Sequence, residues 1–278
     1  MKIAIASGKG GTGKTTVAVN LSLSLDSVQL VDCDVEEPNV NEFLNVQLKK
    51  IKNVDLLVPV VDEGKCTHCG KCSKLCQYNA LAVLPDQVLV FEQLCHGCGL
   101  CSIACPEKAI TEKKRSIGTV ERGNYNGMDF LQGTLNTAEA MVTPIIAELK
   151  KEASSKRITI LDVPPGAACP VIEAVSGADF CILVTEPTPF GEHDLKIAVE
   201  VTRSLGIPFG VIINRDGVGD DRIEKYCQEE DISILLKIPH DEQIMQLYAR
   251  GIPFSLEMKE WRDVFRNLYD EVRRLARQ

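Results

Sequence analysis

No feature limits the fold of this chain more than its first 25 residues, "MKIAIASGKGGTGKTTVAVNLSLSL". A short apolar run with β-branched members leads into clustered glycines, and the residues after them repeat at helical period. Gly8 to Thr15, "GKGGTGKT", fits GxxxxGK[ST], and the strand–loop–helix setting gives that match its meaning. Gly8, Gly10, Gly11 and Gly13 permit backbone angles that turn N–H groups toward phosphate oxygens. The following helix adds the positive end of its dipole. Within the loop Gly8–Thr16, Lys14 is placed to reach the β- and γ-phosphates of ATP and Thr15 to ligate Mg2+. Thr12 and Thr16 belong to the same nucleotide-binding loop.

Acids close the apolar runs further along. "VQLVDCDVEEPNV" (28–40) carries Asp32 and Asp34, and "ITILDVPPG" (158–166) ends its apolar part in Asp162. "FGVIINR" (209–215) ends in Asn214 and Arg215, and "LLKIPHDEQI" (235–244) contains Pro239. Taken singly, a strand-end aspartate is as often a helix cap or turn residue. Lys9, after the first glycine, is not required by the basic motif.

"KGGTGKTT" resembles the deviant Walker A loop of the MinD/ParA/Mrp family, which includes the nitrogenase iron protein. The resemblance implies an ATP-sandwiched homodimer in which Lys9 crosses the two-fold axis to the partner's phosphates. It implies that Asp34 is the switch I aspartate, positioning magnesium and the attacking water, with Asp32 near the same metal. Asp162 matches the Walker B and switch II acid, Asn214 the adenine-binding asparagine, and Pro239 the loop closing over the base. Catalysis is then expected from Lys9, Lys14, Asp34 and Asp162, by charge stabilisation without a covalent intermediate.

Eight of the twelve cysteines fall in two tight runs. Cys66, Cys69, Cys72 and Cys76 keep the spacing CxxCxxCxxxC, and Cys95, Cys98, Cys101 and Cys105 repeat it. This is the run of a bacterial two-cluster ferredoxin, in which the fourth cysteine of each run serves the other cluster. One 4Fe–4S cluster is expected on Cys66, Cys69, Cys72 and Cys105, and the second on Cys95, Cys98, Cys101 and Cys76. Zinc competes for any CxxC, but zinc sites use separated pairs and do not need a third cysteine in each run. His68 and His96 lie between cysteines, yet the four-thiolate sets are complete without them. Pro106 follows the second run, whereas Gln77 stands at that place in the first.

These motifs divide the chain. The fold class expected is α/β: a doubly wound, mostly parallel P-loop NTPase sheet with an inserted small α+β ferredoxin domain. The insert spans about 59–118, between the switch I strand and the "TLNTAEAMVTPIIAELKKE" helix, leaving 1–58 and 119–278 as a discontinuous ATPase domain. A formal charge of −8 argues against general nucleic-acid binding, which needs a basic face. The start shows no charged-then-apolar leader, so a reducing cytoplasm is expected. "EMKEWRDVFRNLYDEVRRLARQ" places Trp261, Val264, Phe265, Leu268, Val272 and Leu275 on one stripe, while its polar face mixes acids and bases. That pattern fits a helix docked on its own domain better than one lying on a membrane.

Cys181 and Cys227 read as packing residues, and Cys33 as packing against the sheet. Cys169, in "DVPPGAACP", lies seven residues after Asp162. At this offset the nitrogenase iron protein binds a cluster shared across its dimer, so a packing role and a metal or redox role both stand. The second cysteine per subunit that such a bridge needs has no counterpart in "ERGNYNGMDFLQGTL". The combination points to nucleotide state governing electron delivery or metal-cofactor maturation on a redox or apo-metalloprotein partner. The other class is spatial positioning in the manner of MinD and ParA, with the ferredoxin portion sensing redox state.

Overall fold

The computed structural model describes residues 1–154 and 156–277; Ser155 and Gln278, both inside the expected ATPase range, lie outside it. The chain begins with β1 (Lys2–Ala6), α1 (Lys14–Ser24), β2 (Val28–Asp32) and a short α2 (Val40–Leu44). A long strand, β3 (Lys49–Val61), leads into the cysteine-bearing segment. That segment holds α3 (Lys71–Leu75), β4 (Leu81–Val83), β5 (Val88–Val90) and α4 (Leu100–Ala104). The chain returns along β6 (Ile110–Tyr125) and turns back in β7 (Met128–Leu135). Helix and strand then alternate through α5 (Thr143–Glu152), β8 (Ile158–Asp162), α6 (Cys169–Val175), β9 (Phe180–Thr185) and α7 (Pro189–Ser204). After β10 (Phe209–Asp216), α8 (Arg222–Glu229) and β11 (Ile234–Pro239) come α9 (Glu242–Ala249), α10 (Phe254–Glu257) and α11 (Glu260–Leu275).

Among the described residues nine strands form one sheet in the order β11-β10-β9-β1-β8-β2-β7-β6-β3. From β11 to β7 the strands run parallel, while β6 is antiparallel to both of its neighbours. Alternation along each strand feeds two cores. Ala4, Ala6, Val31, Leu161, Cys181 and Val211 pack on one face, and Ile3, Ile5, Leu30, Ile160, Ile182 and Ile212 on the other. Both faces are therefore apolar and both are covered by helices, as in a doubly wound sheet. The central strands β1 and β8 end together, so the residues after them share one edge.

The return from the cysteine segment differs from the sequence expectation. Thr134 and Leu135 finish β7, and α5 starts only at Thr143, with Pro144 in its first turn. Proline has no N–H to give to a helix interior and suits a helix start. Asn126 and Gly127 join β6 to β7 with φ of 48° and 93°, the left-handed pair of a tight hairpin turn.

The two long strands have two zones. Residues 118–122 of β6 pair with both β7 and β3 and residues 123–125 with β7 alone, whereas residues 110–116 pair with β3 alone. At the boundary Val54 faces Gly118 and Asp55 faces Ser116, which leaves Ile117 as an extra residue. A bulge of this kind bends its strand and raises the local twist. A two-stranded ribbon thus leaves the sheet at Ile117 and carries the cysteine lobe.

The C-terminal stripe is docked. Phe265, Leu268 and Val272 of α11 are buried in the same core as Val17 and Leu21 of α1. Arg266 Nε donates to the Ser24 carbonyl at 2.9 Å, and Trp261 meets Phe254 edge-on at 5.1 Å. No helix among the described residues is long and apolar enough to cross a membrane.

Candidate nucleotide site and cysteine recesses

The loop between β1 and α1 lies at the C-terminal edge of the sheet. Gly11 and Gly13 hold φ of 79° and 95°, a region that glycine enters without strain. A Cβ on Gly13 would stand 2.3 Å from Asn214 Nδ2, so the position admits glycine alone on two counts. That Nδ2 donates to the Thr12 carbonyl at 2.8 Å and ties β10 to the loop. Gly8 is pinned from the other side, since a Cβ there would stand 2.1 Å from the Asp194 carbonyl oxygen of α7. A cavity of about 460 Å³ opens beside the loop. Gly10, Gly11, Gly13, Lys14, Thr15 and Thr16 floor it, Asp34 flanks it, and Asn214 and Pro239 border its far end.

The acids meet under this floor. Thr15 Oγ1 donates to Asp162 Oδ2 at 2.7 Å, while Asp162 Oδ1 is buried without a partner among the described residues. Burial holds the Asp162 carboxyl up at about 7. Lys14 is nearly buried; desolvation pulls its ammonium below the ordinary value, and Asp162 and Asp34 oppose that pull. Asp32, expected near the metal, lies opposite Asp162 on the neighbouring strand, with its carboxylate held by backbone N–H groups. Its Oδ1 accepts the Asp34 N–H at 3.0 Å, and its Oδ2 accepts the Asn39 and Val40 N–H groups at 3.1 Å. Asp32 therefore shapes the loop that presents Asp34. An orphaned carboxylate oxygen beside a threonine hydroxyl and a second acid is a hard-oxygen set, which suits magnesium.

Lys9 stays outside the cavity. Its Nζ lies 3.7 Å from Glu186 Oε2, and Arg215 Nη1 lies 2.8 Å from Glu186 Oε1. Glu186, after β9, is buried and was not singled out in the sequence; an acid closing the mostly apolar run "FCILVT" was the available signal. Phe43 of α2 and Tyr248 of α9 were also missed. Their rings approach to 5.7 Å and both border the cavity. Neither sits in a motif, and only tertiary packing brings residues 43 and 248 together.

The cysteine lobe repeats itself in conformation as well as sequence. Gly70 and Gly99, each just before a short helix, have φ of 76° and 72°, and His68 and Gly97 have φ of 51° and 67°. Asn79 and Lys108 match likewise at 52° and 51°. One recess is lined by Cys66, Cys69, Cys72 and Cys105. A second is lined by Cys76, Cys95, Cys98 and Cys101. Each recess thus takes three cysteines from one run and the last from the other. Backbone N–H groups already point at sulfur: Ala80 to Cys76 and Ala109 to Cys105 at 3.3 Å, and Gly97 to Cys95 at 3.4 Å. Thiolate sets of four with inward N–H donors fit iron–sulfur clusters.

Among the remaining thiols, Cys33, Cys181 and Cys227 are buried, and burial pushes Cys181 up to about 12 and Cys227 to about 11. Cys169 is exposed at the first turn of α6, apart from both recesses.

Comparison with known proteins agrees with this architecture. Residues 3–254 match the CobQ/CobB/MinD/ParA nucleotide binding domain. An uncharacterized protein of Methanocaldococcus jannaschii is 35% identical over 260 residues, covering 91% of each chain. An iron–sulfur cluster carrier protein of Pyrococcus abyssi is 26% identical over 282 residues, covering 92% of this chain and 79% of that one. In fold, the cell division ATPase MinD of Pyrococcus furiosus superposes with a TM-score of 0.62 at 21% identity, covering 99% of this chain and 98% of that one. A strand–loop–helix phosphate cradle at the edge of a mostly parallel sheet, matched over nearly the whole chain, places this protein in the CobQ/CobB/MinD/ParA nucleotide-binding family.

Proposed function

We propose that this chain is a homodimeric, ATP-hydrolysing iron–sulfur protein in which nucleotide state governs delivery of electrons, or maturation of a metal cofactor, on a partner protein. In this reading residues 59–118 form an inserted two-cluster ferredoxin domain on the β3–β6 stem, and residues 1–58 and 119–278 form the ATPase. The observation that carries it is the pair of recesses, each sharing cysteines between the two runs, mounted on strands of the nucleotide-binding sheet. Neither run can complete a recess alone, which accounts for the duplication.

The residues of the chain divide the work. Gly10, Gly11 and Gly13 bring backbone N–H groups to the phosphates, and Lys14 places its ammonium against them. Thr15 and Asp34 hold magnesium, which when bound supplies charge to the phosphate oxygens. Asp34 also positions the attacking water, and Asp162 fixes the Thr15 hydroxyl. Lys9 acts as the deviant Walker A lysine: it leaves Glu186 and adds its charge to the transferred phosphoryl group of the partner subunit. Asn214 and Pro239 frame the base. When bound, the two 4Fe–4S clusters supply one-electron chemistry. Cys66, Cys69, Cys72 and Cys105 hold one of them, and Cys95, Cys98, Cys101 and Cys76 the other.

The carrier name borne by the Pyrococcus abyssi relative supports the maturation arm. The positioning alternative, with the C-terminal segment touching membrane, is less well supported, because the apolar stripe of α11 is buried against α1. Anaerobic purification with iron count and electron paramagnetic resonance tests the assignment, followed by pull-down with and without a non-hydrolysable ATP analogue. About eight irons per chain and nucleotide-dependent capture of an iron–sulfur or other metalloprotein are expected. Zinc in place of iron overturns the ferredoxin assignment.

A further inference from the structure

Between β7 and α5, residues 135–142 form a connection that touches both ends of the suspected coupling. At one end Leu135 N–H donates to the carbonyl of Val35, the residue after Asp34, at 2.9 Å. Val35 is itself clamped: it is 1% exposed, and a Cβ on Gly133 would stand 2.6 Å from its Cγ1. At the other end Asn136 N–H donates to the Ile117 carbonyl at 2.9 Å, and Asn136 Nδ2 donates to the Ser116 carbonyl at 2.9 Å. Ile117 is the bulge residue where the ribbon leaves the sheet. Two residues from Ile117 along the ribbon, Arg115 pairs with Glu139, whose side chain is 4% exposed. The other Glu139 oxygen accepts the Ala140 and Met141 N–H groups at 2.9 and 3.1 Å. Arg115 Nε and Nη2 are buried without another partner among the described residues, so Glu139 alone balances that charge. Separating such a pair leaves a buried charge uncompensated, and the two therefore move together.

We propose that this connection is the coupling element between the nucleotide site and the cysteine lobe, with Asn136 and the Arg115–Glu139 pair as its positioning residues. It rests on the reading that magnesium and ATP engage Asp34. A shift of the Asp34–Val35 backbone is handed to Leu135 through one hydrogen bond, to the bulge through two more, and to the ribbon through a partly buried ion pair. Of the two register shifts between β3 and β6 among the described residues, at Lys50/Lys52 and at Val54/Asp55, the second stands where the sheet passes into the ribbon. Proximity of this kind becomes coupling only if both ends bias one element, which the experiment must show.

Amide hydrogen exchange on the full, anaerobically purified chain, with and without magnesium and a non-hydrolysable ATP analogue, provides the test. In the unaltered protein the analogue is expected to slow exchange at residues 8–16, and at 110–118 to change it about fivefold or more. Asn136→Ala and Glu139→Gln are expected to keep the protection at 8–16 and to hold the ribbon response under about twofold. Thr137→Ala, in the same connection but exposed, keeps the full response. Asn136 is exposed, so its variant decides the matter even where Glu139→Gln fails to fold. Ribbon responses in Asn136→Ala equal to those of the unaltered chain overturn the proposal. So does a protected loop at 8–16 with an unresponsive ribbon in the unaltered chain, an outcome that leaves the nucleotide reading intact. Absence of protection at 8–16 overturns that reading and the coupling with it.

Discussion

Lys9 Nζ lies 3.7 Å from Glu186 Oε2 and does not line the cavity that Lys14 lines. In the proposed reading the two lysines, five residues apart, have separate tasks: Lys14 serves its own nucleotide, and Lys9 is held in reserve by Glu186. Lys9→Ala is expected to leave ADP affinity within about threefold, because uniform binding through Lys14 is untouched. Turnover should fall about a hundredfold or more, the scale for loss of one cation acting on the phosphoryl group. Steady-state phosphate release and ADP titration measure the two, with sedimentation reporting whether nucleotide-dependent dimers are lost.

Asp162 sets a pH dependence with a definite sign. Its carboxyl titrates at about 7 in the folded chain against an ordinary 3.8, because burial disfavours the charge. Between those values the folded state holds a proton that the unfolded state has released. The Asp162 contribution to the stability of the nucleotide-free protein is therefore fully present below pH 3.8 and lost as pH rises through 7. Denaturant midpoints from pH 5 to 8 should fall in the unaltered protein and fall less steeply in Asp162→Asn. The variant retains a residual slope, since burial also raises Asp32. Parallel slopes would refute the assignment.

Phe43 and Tyr248 border the cavity, and in the proposed reading their rings take the base. Stacking on an aromatic side chain contributes about 1–3 kcal/mol per base, so Phe43→Ala should weaken ATP binding roughly tenfold. Inorganic triphosphate, which has no base, should bind both proteins alike. Equal weakening of both ligands by isothermal titration would mean that Phe43 only supports the loop carrying Asp34.

Crossed ligation predicts an unusual result for paired cysteine substitutions. Cys66→Ala with Cys105→Ala strikes one recess twice, and about four irons per chain should remain. Cys95→Ala with Cys105→Ala strikes both recesses and should leave almost none. Uncrossed runs would reverse the two iron counts.

The sequence carried the parts whose chemistry is local. The P-loop depends on glycines at fixed offsets, the recesses on cysteines at fixed offsets, and the strand-end acids on the apolar runs before them. The β6–β7 hairpin was also within reach, because Asn126–Gly127 between alternating residues is a strong turn signal. Other features depend on distant pairing. Nothing near Glu186 tells that Lys9 lies against it, and nothing near Glu139 tells that Arg115 does. A second role of Asp32 was hidden for a related reason: only the folded chain brings the backbone N–H groups of Asn39 and Val40 back onto its carboxylate.

The claim on which the rest depends is that the nucleotide site controls the iron-bearing lobe. Its most direct measurement is the rate at which the reduced protein gives electrons to a small soluble acceptor when nucleotide-free, with ADP, and with a non-hydrolysable ATP analogue. The account predicts rates that separate by about fivefold or more between the triphosphate and nucleotide-free states. Identical rates in all three states, with binding of both nucleotides verified, would contradict it.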